Sequence, residues 1–205
     1  MSSIARHLAP IIATGLATGL ATLATLGSAA AQPAGRRSLP PRVGLEGGFG
    51  LYGGEINCED QSGESCGGFN EAGGIDGHLT YMFAPTIGIT FDVFPMFHTE
   101  DRWTFTHNVV TVGAKWRPAP IVSLTAGLGS AQASLHYDGN IQLDSRSDTG
   151  GALLLAAGVD VVRGRNWAID LEVRAGFGFY GDDDNDGNAD IVARNLGFGA
   201  AITWF

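Results

Sequence analysis

The stretch GDDDNDGNAD at 181–190 sets Asp182, Asp184 and Asp186 two residues apart, followed by Gly187 and Asp190. Oxygen ligands at positions 1, 3, 5 and 9 with glycine at 6 match the first part of a calcium loop. Position twelve is Ala193 rather than Glu, so the bidentate ligand is missing, and no flanking helices are expected. These four aspartates are a weak Ca²⁺ candidate, and a solvated acidic loop tip is the plainer alternative. No other cofactor is indicated. Cys58 and Cys66 are the two cysteines, in the polar run CEDQSGESC. No histidine or third cysteine stands nearby to complete a metal set. In an oxidising compartment the pair can close one short disulfide loop, contributing about 2–3 kcal/mol by chain entropy.

Nucleophilic catalysis needs a nucleophile, a base and an orienting acid together. His78 shares a face with Thr80, and Ser134 lies two residues before His136; His98 and His107 stand apart. None of these forms a catalytic signature, so no catalytic residue is assigned. The glycine-rich run GLEGGFGLYGG at 44–54 lacks the lysine and following helix of a phosphate-binding loop.

The chain around these residues has 205 residues, 31 of them glycine, with 44% hydrophobic and 16% charged residues and net charge −9. Collagen is excluded because glycine has no G-X-Y period. Disorder is disfavoured because so apolar a chain can bury surface. The negative charge and lack of a basic stripe argue against nucleic acid. Arg6 and His7 precede the apolar run Leu8–Leu26, which ends in Ala29-Ala30-Ala31. This reads as a secretory signal peptide over 1–31, with an uncleaved anchor as the rival. Residues 32–41 (QPAGRRSLPP) then form a short periplasmic tail.

From residue 42 onward the apolar period is two, in eight segments. Val43, Leu45, Phe49 and Leu51 share one face of the first. The outer faces of the next three hold Ile75–Phe83, Ile87–Val93 and Val110–Trp116. The last four hold Val122–Leu128, Leu153–Val161, Trp167–Phe179 and Leu196–Trp204. Ala84-Pro85, 117–120 and 163–166 are tight turns. The other connections, 54–73, 97–104, 137–149 and 181–190, are longer and acidic.

One face of each segment is apolar. The other is small and polar, and carries Glu46, Asp76, Asp92, Lys115, Asp160, Asp170, Glu172 and Arg174. A soluble barrel would turn the apolar face inward and usually carries about 25–35% charged surface. A membrane barrel turns the apolar face to lipid and must close, because lipid cannot satisfy a free sheet edge. Those eight charges then sit in the barrel interior, with Lys115 and Arg174 as its basic residues. The glycines relieve crowding in a narrow lumen. Tyr52, Tyr81, Phe83, Phe97, Trp103, Trp116, Trp167, Phe179, Tyr180, Trp204 and Phe205 fall near segment ends, where interfacial girdles lie.

The signal, the eight alternating segments, the alternation of long and short connections and the terminal Phe205 resemble the small Gram-negative outer-membrane barrels. These are the OmpA-like and opacity-protein-like group. The resemblance covers 42–205 and implies an all-β fold, an eight-stranded antiparallel up-and-down transmembrane β-barrel. It implies the outer membrane as location, with membrane lipid and the barrel-insertion machinery as partners. Phe205 would be the insertion signal, although Trp204 is the residue in phase with the outer face, which suggests a bulge. A structural, adhesive or surface-interaction role without catalysis follows, toward an external partner the residues do not identify. A small porin-like channel is the alternative, and a lipid A-modifying enzyme the more remote one.

Overall fold

The computed structural model describes residues 42–60, 65–100, 103–137, 146–181 and 191–205. The signal segment 1–31, the tail 32–41 and the four aspartates of 182–190 lie outside the described residues. Eight strands run in chain order: β1 (Gly44–Asp60), β2 (Ser65–Ala84), β3 (Ile87–Glu100), β4 (Trp103–Ala119), β5 (Val122–Tyr137), β6 (Arg146–Arg163), β7 (Trp167–Tyr180) and β8 (Ile191–Trp204). Each pairs antiparallel with its neighbours, and β8 pairs with β1 to close the barrel. No helix occurs among the described residues.

The register fixes the barrel's shape. A walk along paired residues runs from Phe49 through Gly77, Val93, Val110, Ser130, Gly151, Phe179 and Val192 to Glu59. It regains β1 ten residues from its start, so the stagger is ten residues over eight strands. With about 3.4 Å per residue and about 4.8 Å between strands, that stagger tilts the strands by roughly 42°. The usual range is about 35–45°. A strand of 14 residues, such as β3, then rises roughly 35 Å along the axis, more than the ~25 Å apolar band of such barrels.

The strands accordingly run beyond the alternating segments. Most of 54–73 and of 97–104 is strand rather than loop: β1 continues to Asp60 and β2 begins at Ser65, while β3 continues to Glu100, which pairs with Trp103 at the start of β4. The alternation fades there because both faces are polar above the apolar band, while backbone pairing persists. The tight connections sit at Pro85-Thr86, Pro120-Ile121 and 164–166. The barrel thus has a turn end and a loop end.

Leu45, Leu51, Leu79, Ile89, Val112, Leu128 and Phe198 are exposed on the outer wall. In water such a surface would aggregate; facing lipid it is at no disadvantage. Tyr81, Phe83, Phe97, Trp103, Trp116 and Trp204 are exposed as well. Tyr52, Tyr180 and Phe205 depart from the girdle expectation. The two tyrosines sit on inner-face positions and are buried in the lumen, and the Phe205 ring packs against the Arg42 guanidinium.

Candidate functional site

The lumen is filled in three layers. At the turn end, Arg42 precedes β1 and pairs with Asp160 of β6. Arg117 of β4 donates two bonds of 2.7 Å to the two oxygens of Glu46 on β1. This bidentate fork is among the stronger ion-pair geometries. The Phe205 ring lies under the Arg42 guanidinium at 4.1 Å, with Arg163 at 5.7 Å. Its backbone N–H donates to the Asn166 carbonyl at 3.1 Å. The pairing of β8 with β1 and β7 is unbroken to Trp204, so no bulge brings Phe205 to the outer face. Trp204 faces outward and Phe205 covers the turn-end mouth.

The middle layer is organised by Arg174 of β7. Its Nε donates to Glu172 Oε2 at 2.9 Å and to the Tyr52 hydroxyl at 3.0 Å. Its Nη1 lies 2.9 Å from Asp76 Oδ1 and 3.1 Å from Asp92 Oδ1. Tyr52 donates to Glu172 at 2.8 Å. Asp92 also accepts from Thr90 at 2.8 Å, and Thr90 from Thr80 at 2.9 Å. Period-two spacing puts Glu172 and Arg174 on one inner face of β7. The stagger brings β2 and β3 across the lumen to meet them. Lys115 is buried within electrostatic range of Glu46, Asp170 and Glu172.

The loop-end layer is apolar. Tyr52, Ile56, Phe94, Met96, Val109, Leu154 and Tyr180 form one buried cluster. Tyr52 and Phe94 meet edge to face at 5.4 Å.

The eight charges expected inside are therefore all buried at the side chain, Asp160 included. The sequence reading missed two cations, Arg42 and Arg117, both buried in the turn-end layer. Arg42 stands ahead of the first alternating segment. Arg117 falls in the stretch 117–120 that the sequence reads as a turn, yet it continues β4 in phase with Lys115 on the inner face. Six carboxylates thus face four basic side chains among the described residues. The apolar inner layer was missed too, because large side chains on the inner face break the small-and-polar pattern.

Two arrangements here could support chemistry. Asp76, His78 and Asp92 offer ligand atoms within 4.8 Å of one another. The Arg174 guanidinium already occupies the position a cation would take, bridging both aspartates. His78 also lies between Asp76, at 3.1 Å, and the Thr203 hydroxyl, at 3.2 Å. That order of carboxylate, imidazole and hydroxyl has the form of a nucleophile triad. However, Thr203 is wholly buried and donates its proton to Asp170 at 3.0 Å. At the loop end, Cys58 stands opposite Gly67, with the register shifting just beyond it. The backbone therefore brings Cys58 beside Cys66, whose side chain lies outside the described residues.

A closed eight-stranded barrel with an apolar exterior and a charged, packed interior is built as a membrane-spanning barrel. The chain belongs to the outer membrane protein beta-barrel domain family, whose family model matches residues 20–202. Among curated proteins no relative matches. Among solved structures it is similar to Ail, the attachment invasion locus protein of Yersinia pestis. That likeness has a TM-score of 0.57 at 17% identity over 80% of this chain and 100% of Ail. Neisserial surface protein A is similar with a TM-score of 0.55 at 14% identity, over 78% of this chain and 96% of the other. Ail is also solved in complex with the heparin analogue sucrose octasulfate, and that structure matches with a TM-score of 0.56 at 17% identity, covering 79% of this chain and 100% of Ail. At these identities the likeness is one of fold: a small outer-membrane barrel in contact with membrane lipid.

Proposed function

We propose that this protein is a plugged, non-catalytic barrel that holds an acidic surface at the outer face of the outer membrane. The filled lumen carries the reading: ion pairs at the turn end, the Arg174 network in the middle and an apolar cluster at the loop end. A narrow barrel blocked in three layers favours a scaffold over a conduit. Purified protein in planar bilayers should give no large stable conductance steps; such steps would replace this reading with a small channel.

The acids indicate what is presented. Six of the 21 acidic residues point into the lumen, and the other fifteen fall in 54–73, 97–104, 137–149 and 181–190. Those four stretches hold only two of the 12 basic residues. Such a field repels polyanions, so a sulfated glycan of the kind seen with Ail is disfavoured here. A cationic surface, or one bridged by divalent ions, fits better. Cells displaying the protein should retain polylysine-coated beads over heparin-coated beads, and the reverse order would remove the proposed partner class.

In the same reading the signal is cleaved after Ala31, the loop end faces the medium and Cys58 pairs with Cys66. Phe205 is read by the insertion machinery before the barrel closes over it. The incomplete calcium loop at Asp182, Asp184, Asp186 and Asp190 adds weak Ca²⁺ affinity to the acidic surface.

A further inference from the structure

We propose that His107 and Asn195 form a buried hydration site inside the barrel, between the apolar cluster and the Arg174 network. Both ring nitrogens of His107 and both amide atoms of Asn195 are buried without an aligned hydrogen-bond partner. The two residues are 0% and 1% exposed. Asn195 lies within reach of the His107 ring, but a direct bond between them would leave the other polar atoms unsatisfied.

The barrel is shaped to admit these groups. His107 on β4 and Asn195 on β8 meet across the lumen against the glycine face of β7. A Cβ at Gly178 would stand 2.6 Å from His107 Nε2, and one at Gly176 would stand 2.5 Å from Asn195 Oδ1. The Tyr180 ring meets the His107 ring edge-on at 6.1 Å. Below, Gly197, two residues along β8 from Asn195, is the strand partner of Arg174.

The chemistry of the lining selects the guest. Imidazole and carboxamide can each donate and accept. Among the described residues no carboxylate and no cation contacts this pair, so it favours neither ion. One imidazole is too few ligands for a metal. Water both donates and accepts, and buried water commonly makes two to four bonds to polar groups that are otherwise unsatisfied. Polar side chains placed this deep are retained where such bonds are made.

The test uses the refolded full barrel in lipid nanodiscs, labelled with ¹⁵N. Long-lived water should give cross-peaks to the Asn195 side-chain amide and the His107 ring. H107L and N195L should each lower the unfolding midpoint. The double variant H107L/N195L should regain much of that loss, because no polar atom is then stranded, and its water cross-peaks should vanish. H107Q, which keeps a donor and an acceptor at that position, should fold and retain water cross-peaks to Asn195 even where a leucine variant does not refold. Additive losses in the double variant would overturn the site. So would a His107–Asn195 coupling across a direct hydrogen bond with no water cross-peak.

Discussion

Replacing Arg174 with methionine tests whether the middle layer holds the barrel together. The guanidinium contacts Glu172, Asp76 and Asp92 at 2.9–3.1 Å, and all three carboxylates are buried. Methionine fills a similar length but leaves those carboxylates facing one another in a low-dielectric lumen. Breaking a buried ion pair by removing one partner costs about 3–5 kcal/mol. Counting each charge-assisted bond separately, at ~1.5–3 kcal/mol apiece, gives more, because it ignores water entering the space and side chains turning away. The lower range is therefore the one to expect. Arg174→Lys keeps the charge but loses the fork that addresses Glu172 and the aspartates from different nitrogens, so it should lose roughly half as much. The measurements are the urea midpoint in detergent and the temperature at which the compact, unboiled gel band converts to the unfolded one. A diagnostic partner is R174M/D92N. If stranded like charge is the cause, neutralising one carboxylate must recover part of the loss. A loss below about 1 kcal/mol in R174M, or no recovery in the pair, would refute the claim that this ion cluster sets the barrel's rigidity.

Three further outcomes follow from particular contacts. A Cβ at Gly54 would lie 1.8 Å from the Leu196 carbonyl oxygen and one at Gly113 would lie 2.0 Å from that of Ala126, whereas Gly77 has nothing within 4 Å. Alanine at Gly54 or Gly113 should cost about 1–3 kcal/mol through overpacking and lower refolding yield, and Gly77→Ala should refold as the parent does. Arg42→Gln removes both the Asp160 partner and the cover on the Phe205 ring. It should cost more than Phe205→Ala, which forfeits a cation–π contact of about 0.5–2 kcal/mol, with urea midpoints giving the order. Titration calorimetry with millimolar Ca²⁺ should show a weak exothermic or endothermic signal that disappears in D184N/D186N; heat no greater than buffer dilution in the parent removes the calcium proposal.

The barrel was legible because lipid inverts the ordinary pattern without destroying it. Leu45, Phe49 and Leu51 alternate with Glu46, Gly48 and Gly50, which gives a strand, and the charges on the small face say which side is the lumen. Closure followed from the absence of any other way to satisfy sheet edges in lipid. The stagger was not legible, since register lies in cross-strand pairing that no single segment encodes, and without it no inner charge can be assigned its partner. Arg174 with Glu172 could be guessed from spacing on β7, but its contacts to Asp76 and Asp92 on β2 and β3 could not. The inner apolar layer failed for a related reason: Tyr52 and Tyr180 read as interfacial from their position along a strand, and only their phase with Gly50 and Gly178 points inward.

The placement of acids connects lumen to surface. A lumen of this width holds few charges, and each must find a partner there or bear the full cost of desolvation. Among the inner acids, Glu46, Asp76, Asp92, Asp160 and Glu172 each have an arginine, while Asp170 accepts from Thr203. Arg42, Arg117 and Arg174 are committed to that task, and Lys115 lies within electrostatic range of Glu46, Asp170 and Glu172. The remaining fifteen acids share the four long stretches with only two bases, and Arg194 of β8 pairs with one of them, Glu59, so these stretches keep a net negative charge. Charge inside this barrel is largely matched by arginines and works as glue; the long stretches carry a net excess of acids despite that Glu59 pair. Under the proposed function, a net acidic charge held on a closed and filled scaffold serves attraction between surfaces. That division is what joins the plugged lumen and the acidic surface in one functional reading.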